Sequence, residues 1–156
     1  MDAIQKLEEI LAVTVEETLE SMAFLIAERI GPKGCKIEGA DTLQASLLVH
    51  DPYPLQFRLM ISDRLAADIA KTLYSLEDHE VNGSILADVV KEMLNVIAGQ
   101  VMNDIVPPGM TFKLGLPETG PTASMEYGTH RVACAFKVDE LPLSMVVSGD
   151  NLERGF

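Results

Sequence analysis

The sequence predicts an α+β fold, a mainly antiparallel sheet with long helices packed on one face. Two stretches, one at the start of the chain and one in its middle, place apolar residues at three- and four-residue steps, the period of an amphipathic helix. Elsewhere every second residue is apolar, the period of a half-buried strand. The resulting order of helix, strands, helix, helix, strands lacks the strict alternation of a doubly wound parallel sheet and suits an α+β layer. With 156 residues, of which 47% are hydrophobic and 23% charged, the chain is expected to form a single domain, 1–156, around one full core.

Ile4, Leu7, Leu11, Val15, Leu19, Met22 and Ile26 predict one long helix from Asp2 to Ile30, ended by GPKG at Gly31 to Gly34. Thr14 and Glu17 have the spacing of a capping box, which allows a break near Val13. A short strand is expected at Cys35 to Glu38. Leu43, Ala45, Leu47 and Val49, then Leu55, Phe57, Leu59 and Ile61, read as the arms of an antiparallel hairpin turned by DPYP. Helical spacing returns over Ser62 to Ser75, with Ser62 or Asp63 as N-cap. The polar loop LEDHEVNGS leads into a second long helix that runs to about Asp104, where VPPG stops it. Strands are expected at Met110 to Leu116, at His130 to Val138 with Val132, Cys134, Phe136 and Val138 on one face, and at Leu141 to Val147. EETLESMAFL and KEMLNVIAGQ align without gaps on Glu, Leu and Ala, a faint echo consistent with a duplicated architecture.

Twelve basic and 24 acidic residues give a net charge of -12, which repels nucleic-acid phosphates and anionic lipid surfaces. No apolar run approaches the roughly 20 residues that span a bilayer, and MDAIQKLEEIL lacks the basic start of a signal peptide. A cytoplasmic protein without nucleic-acid or membrane partners is expected. Cys35 and Cys134, far apart and without companions, offer neither a disulfide framework nor a CxxC site. His50, His79 and His130 have no second ligand at metal-binding spacing, so no metal site is expected. Ser62, Ser84 and Ser144 lack a nucleophile-elbow context, and GPKG is no phosphate loop. The eight methionines read as core filler, and the absence of Trp removes an aromatic nucleic-acid platform.

The chemistry lies in DVVKEMLNVIAGQ, Asp88 to Gln100. Asp88, Glu92, Asn95 and Gly99 stand at i, i+4, i+7 and i+11 and share one narrow arc of an otherwise apolar helix. A solvated helix face would also be polar, but it would favour Lys, Glu and Ala. Asn is a mediocre helix former, and Gly costs about 1 kcal/mol relative to Ala. The arc reads instead as a flat ledge for a partner, with a carboxylate able to pair with a lysine. Its amide can both donate and accept without ionising, which suits the holding of a water molecule.

D-x3-E-x2-N in DVVKEMLN, followed by VIAG, resembles the signature of the CheC, CheX and FliY chemotaxis phosphatases, and FKLGLPETG resembles the loop after this helix in the CheX branch. The resemblance covers nearly the whole chain and implies the pseudo-duplicated CheC/CheX architecture. It implies a phosphatase for the aspartyl phosphate of a CheY-like response regulator, with Asn95 orienting the attacking water and Glu92 paired with the regulator's lysine. Asp88 and Gly99 would then serve partner binding. No cofactor of its own is implied, since magnesium belongs to the regulator. In the first half Val13, Glu17 and Glu20 replace the motif, so one active surface is expected. Members of this branch pair as homodimers through their sheets, which implies the same here. The alternatives are a non-catalytic adaptor of the same fold that binds a regulator or flagellar switch component, and a structural dimerisation domain.

Overall fold

The computed structural model describes residues 2–31, 41–120 and 127–152. Its elements, in order, are α1 (Ala3–Ala23), β1 (Glu28–Ile30), β2 (Thr42–Val49), β3 (Leu55–Ser62), α2 (Asp63–Tyr74), a 3-10 turn (Asp78–Glu80), α3 (Gly83–Ile105), β4 (Glu118–Thr119), β5 (His130–Val138) and β6 (Leu141–Gly149). The strands form one sheet in the order β1-β5-β6-β3-β2-β4, antiparallel at every pairing. The α+β expectation is met.

Alternation builds the core. Leu47, Phe57, Leu59, Ile61, Phe136, Leu143, Met145 and Val147 project from the sheet face that the helices cover and are buried. Ser46, Gln56, Arg58 and Ser148 occupy the alternate positions of those strands and lie outside the apolar cluster. Against the apolar face pack Leu7, Leu11, Val15 and Leu19 of α1, Leu65 and Ile69 of α2, and Val90, Met93, Leu94, Ile97 and Val101 of α3. Burying each such side chain contributes about 1.5–3 kcal/mol, so the two long helices are held by packing more than by helix propensity.

Three sequence expectations change. The first helix ends at Ala23, short of Ile30, because Phe24 takes a left-handed backbone (φ 58°) and its amide bonds back to the Glu20 carbonyl at 3.0 Å. The chain then turns into β1, leaving Ile26 87% exposed although it continues the apolar period. Near Val13 the helix runs unbroken. The Thr14 hydroxyl donates to the Ile10 carbonyl at 2.7 Å instead of capping a new helix, and the working cap is the box formed by Asp2 and Gln5.

The strand expected at Met110 to Leu116 is a loop that touches the sheet once, where Leu114 bridges Val49. The Gly115 amide donates to the Leu48 carbonyl at 2.7 Å. At Gly115 a Cβ would stand 2.7 Å from that same oxygen, so only glycine permits this approach. True pairing resumes at β4, which lies against Ala45 and Ser46. The strand expected at Cys35 to Glu38 lies outside the described residues. No helix among those described is long and apolar enough to cross a membrane.

Cys134 faces the core of β5, and burial pushes its thiol from an ordinary 9.0 up to about 12. In the unfolded chain the thiol ionises near 9, whereas the folded one holds its proton. The contribution of this group is therefore complete below pH 9 and falls as pH rises toward 12, by at most about 1.4 kcal/mol per pH unit. Urea titrations of the parent and Cys134→Ala between pH 8 and 11 should show the parent's stability declining more steeply than the variant's above pH 9.

Candidate functional site

Asn82 starts α3, its side chain accepting the Ile85 amide at 3.0 Å, and the helix then runs unbroken to Ile105. Val89, Val90, Met93, Leu94, Ile97, Ala98, Val101 and Met102 are buried. The opposite side bears the polar stripe. Asp88, Glu92 and Asn95 are exposed, and Gly99 is half-buried. At 100 degrees per residue these four lie within an arc of about 60 degrees, so the structure brings together all four positions picked from the sequence. Glu92 and Asn95 are separated by about 4.5 Å along the axis and point outward side by side.

Each member of the stripe has distinct surroundings. Asp88 forms a loose ion pair with Lys91, 3.8 Å apart on the same helix, with both side chains well exposed. Such a pair contributes little to stability. Among the described residues, neither the Glu92 carboxylate nor the Asn95 amide has a side-chain partner. Both remain available to a second molecule. At Gly99 a Cβ would meet only Leu114 Cδ1, at an ordinary 3.7 Å, so internal packing does not demand glycine there.

Two neighbours escaped the sequence reading. Val96 is apolar by type and would belong with the buried side, yet it is 38% exposed. It stands one turn beyond Glu92, about 40 degrees round the helix, so its place on the rim was readable from the spacing. Tyr74, the last residue of α2, is likewise 38% exposed. Its hydroxyl is held above the ordinary tyrosine pKa, first by partial burial and then by the charges of Glu92 and Asp88, which marks it as a neighbour of the stripe. No sequence period could have brought a residue of one helix beside another.

The corresponding face of α1 is different. Glu17 and Glu20 are exposed where α3 has Glu92 and Asn95, and Val13 is half-buried where α3 has Asp88. Beside them Arg29 reaches back from β1 to Glu9 and Glu16, at 3.0 and 2.6 Å, so the acidic side of α1 ties down a strand of its own chain. Hydrogen bonding to Glu16 and then Glu9 raises the arginine's pKa further. Among the described residues no group of three His, Cys, Asp or Glu side chains is assembled to hold a metal ion.

The model of the chemotaxis phosphatase CheX family matches residues 44–137, more than half of the chain and all of the stripe. The chain belongs to the CheX family. Solved structures agree on the fold. CheX from Vibrio vulnificus is similar over 94% of this chain and 98% of its own, with a TM-score of 0.74 at 16% identity. The complex of CheX with CheY, BeF3 and magnesium from Borrelia burgdorferi matches over 90% of this chain and 95% of its own, with a TM-score of 0.71 at 14% identity. FliY of Thermotoga maritima matches over 97% and 92%, with a TM-score of 0.60 at 15% identity. No curated protein matches the chain.

Because a methyl group would fit at Gly99, the glycine there costs helix stability without a packing reason. Gly99→Ala should raise stability in urea by about 0.5–1 kcal/mol, the ordinary helical gain, since the added methyl meets no obstacle. A loss of stability would mean that the glycine serves the chain's own packing.

Proposed function

We propose that this protein hydrolyses the aspartyl phosphate of a CheY-like response regulator in chemotaxis signalling, with α3 inserted at the regulator's phosphorylation site. The observation that carries this reading is the pair of exposed side chains, Glu92 and Asn95, without side-chain partners among the described residues, on the open side of an otherwise buried helix, in a chain of the CheX family. Asn95 holds a water through its amide and aims it in line with the phosphorus. Attack forms a bond from the water oxygen to phosphorus as the bond to the aspartyl oxygen breaks, giving inorganic phosphate and a free carboxylate.

Glu92 pairs with the regulator's active-site lysine and fixes the register of the two molecules. Asp88 and Gly99 belong to the contact surface, the first as a charge at its rim and the second as space. Magnesium is the regulator's, and this reading is supported by the Borrelia burgdorferi complex, in which CheX and CheY occur together with BeF3 and magnesium. Phosphoryl transfer needs positioning and charge neutralisation more than covalent chemistry, so a rigid helix bearing an amide and a carboxylate suffices. The site of action is the cytoplasm. A second copy of the chain completes the assembly through the sheet, which β1 and β4 terminate. Sedimentation should then give twice the 17.0 kDa chain mass.

Loss of phosphate from a radiolabelled CheY-like regulator tests the reaction. Asn95→Ala should lower the acceleration on the order of 10²-fold while binding persists, and Glu92→Ala should weaken binding and turnover together. An Asn95→Ala variant as active as the parent refutes the assignment. A parent that binds the phosphorylated regulator without accelerating its decay is an adaptor.

A further inference from the structure

An ion pair between Glu92 and a partner's lysine would be weak if water reached it freely, because exposed pairs are screened by solvent and salt. Two large apolar side chains stand open beside Glu92. Val96 follows it by one turn on the same side of α3, and i,i+4 side chains are neighbours on a helix. Tyr74 ends α2, which packs against α3, and the left-handed Ser75 (φ 55°) stops the helix directly after it. The short connection from Ser75 to Asn82 returns the chain to the first turns of α3, so the ring lies at the Asp88 and Glu92 end of the stripe. The effect of both carboxylates on its hydroxyl agrees with this placement.

Neither side chain is needed where it stands to close the core. Leu65, Ile69, Leu94 and Ile97 of the same two helices are fully buried, whereas Tyr74 and Val96 each leave more than a third of their surface open. We infer that Tyr74 and Val96 form an apolar collar around Glu92, which closes over the regulator's lysine and excludes water from the ion pair. The inference rests on the proposed function, in that its occupant is the same regulator. It assigns the binding strength of Glu92 to two residues outside the D-x3-E-x2-N motif. A ring of contacts that keeps solvent from a central polar pair is the arrangement in which interface residues matter most. The acidic stripe supplies the complementary charge for the lysine, and the collar supplies the dry surroundings that make the charge effective.

Titration of the full chain with a CheY-like regulator activated by beryllofluoride, over a series of sodium chloride concentrations, reads binding without turnover. Tyr74→Ala and Val96→Ser should each raise the Kd on the order of tenfold and steepen its dependence on salt, as the Glu92 pair becomes hydrated. Tyr74→Phe should restore affinity and salt slope, because the ring and not the hydroxyl excludes water. Glu92→Gln should cost less affinity in the Tyr74→Ala background than in the parent, the coupling expected of residues that act on one pair. Parent-like binding and salt slope in both Tyr74→Ala and Val96→Ser would overturn the collar, as would strict additivity in that cycle. Turnover by Asn95→Ala equal to the parent's would refute the phosphatase reading and leave these binding results standing. A parent with no affinity for the activated regulator would refute both.

Discussion

The direction in which Glu92 and Asn95 point depends on the burial of the other side of α3. Leu94 and Ile97 are fully buried against the sheet and the neighbouring helices, and Met93 and Met102 fill the same layer. Rotating the helix by one residue, about 100 degrees, would carry an unpartnered amide or carboxylate toward that layer and lift leucine or isoleucine out of it. Burying an unsatisfied polar group costs several kcal/mol, and losing a buried aliphatic side chain costs a similar amount. The apolar residues of α3 therefore position its polar ones, and no hydrogen bond to the stripe is needed to hold it in place.

The sheet beneath that helix is assembled by exchange between two halves. Each half has a long helix, a short edge strand and a hairpin, namely α1, β1 and β2-β3, then α3, β4 and β5-β6. β1 of the first half pairs with β5 of the second, and β4 of the second pairs with β2 of the first. The hairpins meet at the centre, where β3 runs against β6 from Gln56↔Ser148 to Ile61↔Leu143. Neither half completes its sheet alone. This symmetry of architecture does not extend to the helix surfaces. In the gapless alignment of EETLESMAFL with KEMLNVIAGQ, Phe24 falls on Gly99, so α1 turns out of the helix where α3 continues for nearly two more turns. The first half ends its helix in a strand that Arg29 fastens to Glu9 and Glu16, and the second keeps a longer helix whose polar stripe is exposed.

Most of this order was legible where one physical demand governs a stretch. The hairpin of β2 and β3 and the strands β5 and β6 obey a period of two because one side meets the core, and α3 obeys the helical period for the same reason. The stripe was legible as the interruption of that period. What escaped depended on backbone events or on contacts between elements. Phe24 ends α1 in a left-handed conformation that a side chain rarely adopts, and nothing in its type announces this. Met22 and Ile26 keep the helical spacing across the break, so periodicity overran it. Around Leu114 alternation suggested a strand, but the close approach of Gly115 to the Leu48 carbonyl fixes a single bridge and a loop. Tyr74 stands near the end of a helical stretch, and its relation to Glu92 exists only after α2 has packed on α3.

In the proposed reaction, the contrast between the two long helices bears on why residue 95 would be an amide. A carboxylate accepts hydrogen bonds as well as an amide does, but it repels the phosphoryl group that a water must reach. In α1 the equivalent residue is Glu20, exposed beside Glu17 in a chain of net charge -12, and that surface would meet a phosphoryl group with charge of the same sign. In α3 the stripe keeps two carboxylates, Asp88 and Glu92, but the residue one turn after Glu92 is a neutral amide, and Lys91 offsets part of the charge of Asp88. The stripe can thus attract a lysine through Glu92 while presenting to the phosphoryl group a residue that neither ionises nor repels it. Replacement of Asn95 by Asp, nearly identical in shape, isolates charge from geometry. In the proposed reaction that variant keeps the reach to the water but places an anion against the phosphate, so its defect should approach that of Asn95→Ala at neutral pH and lessen as acid protonates the carboxyl.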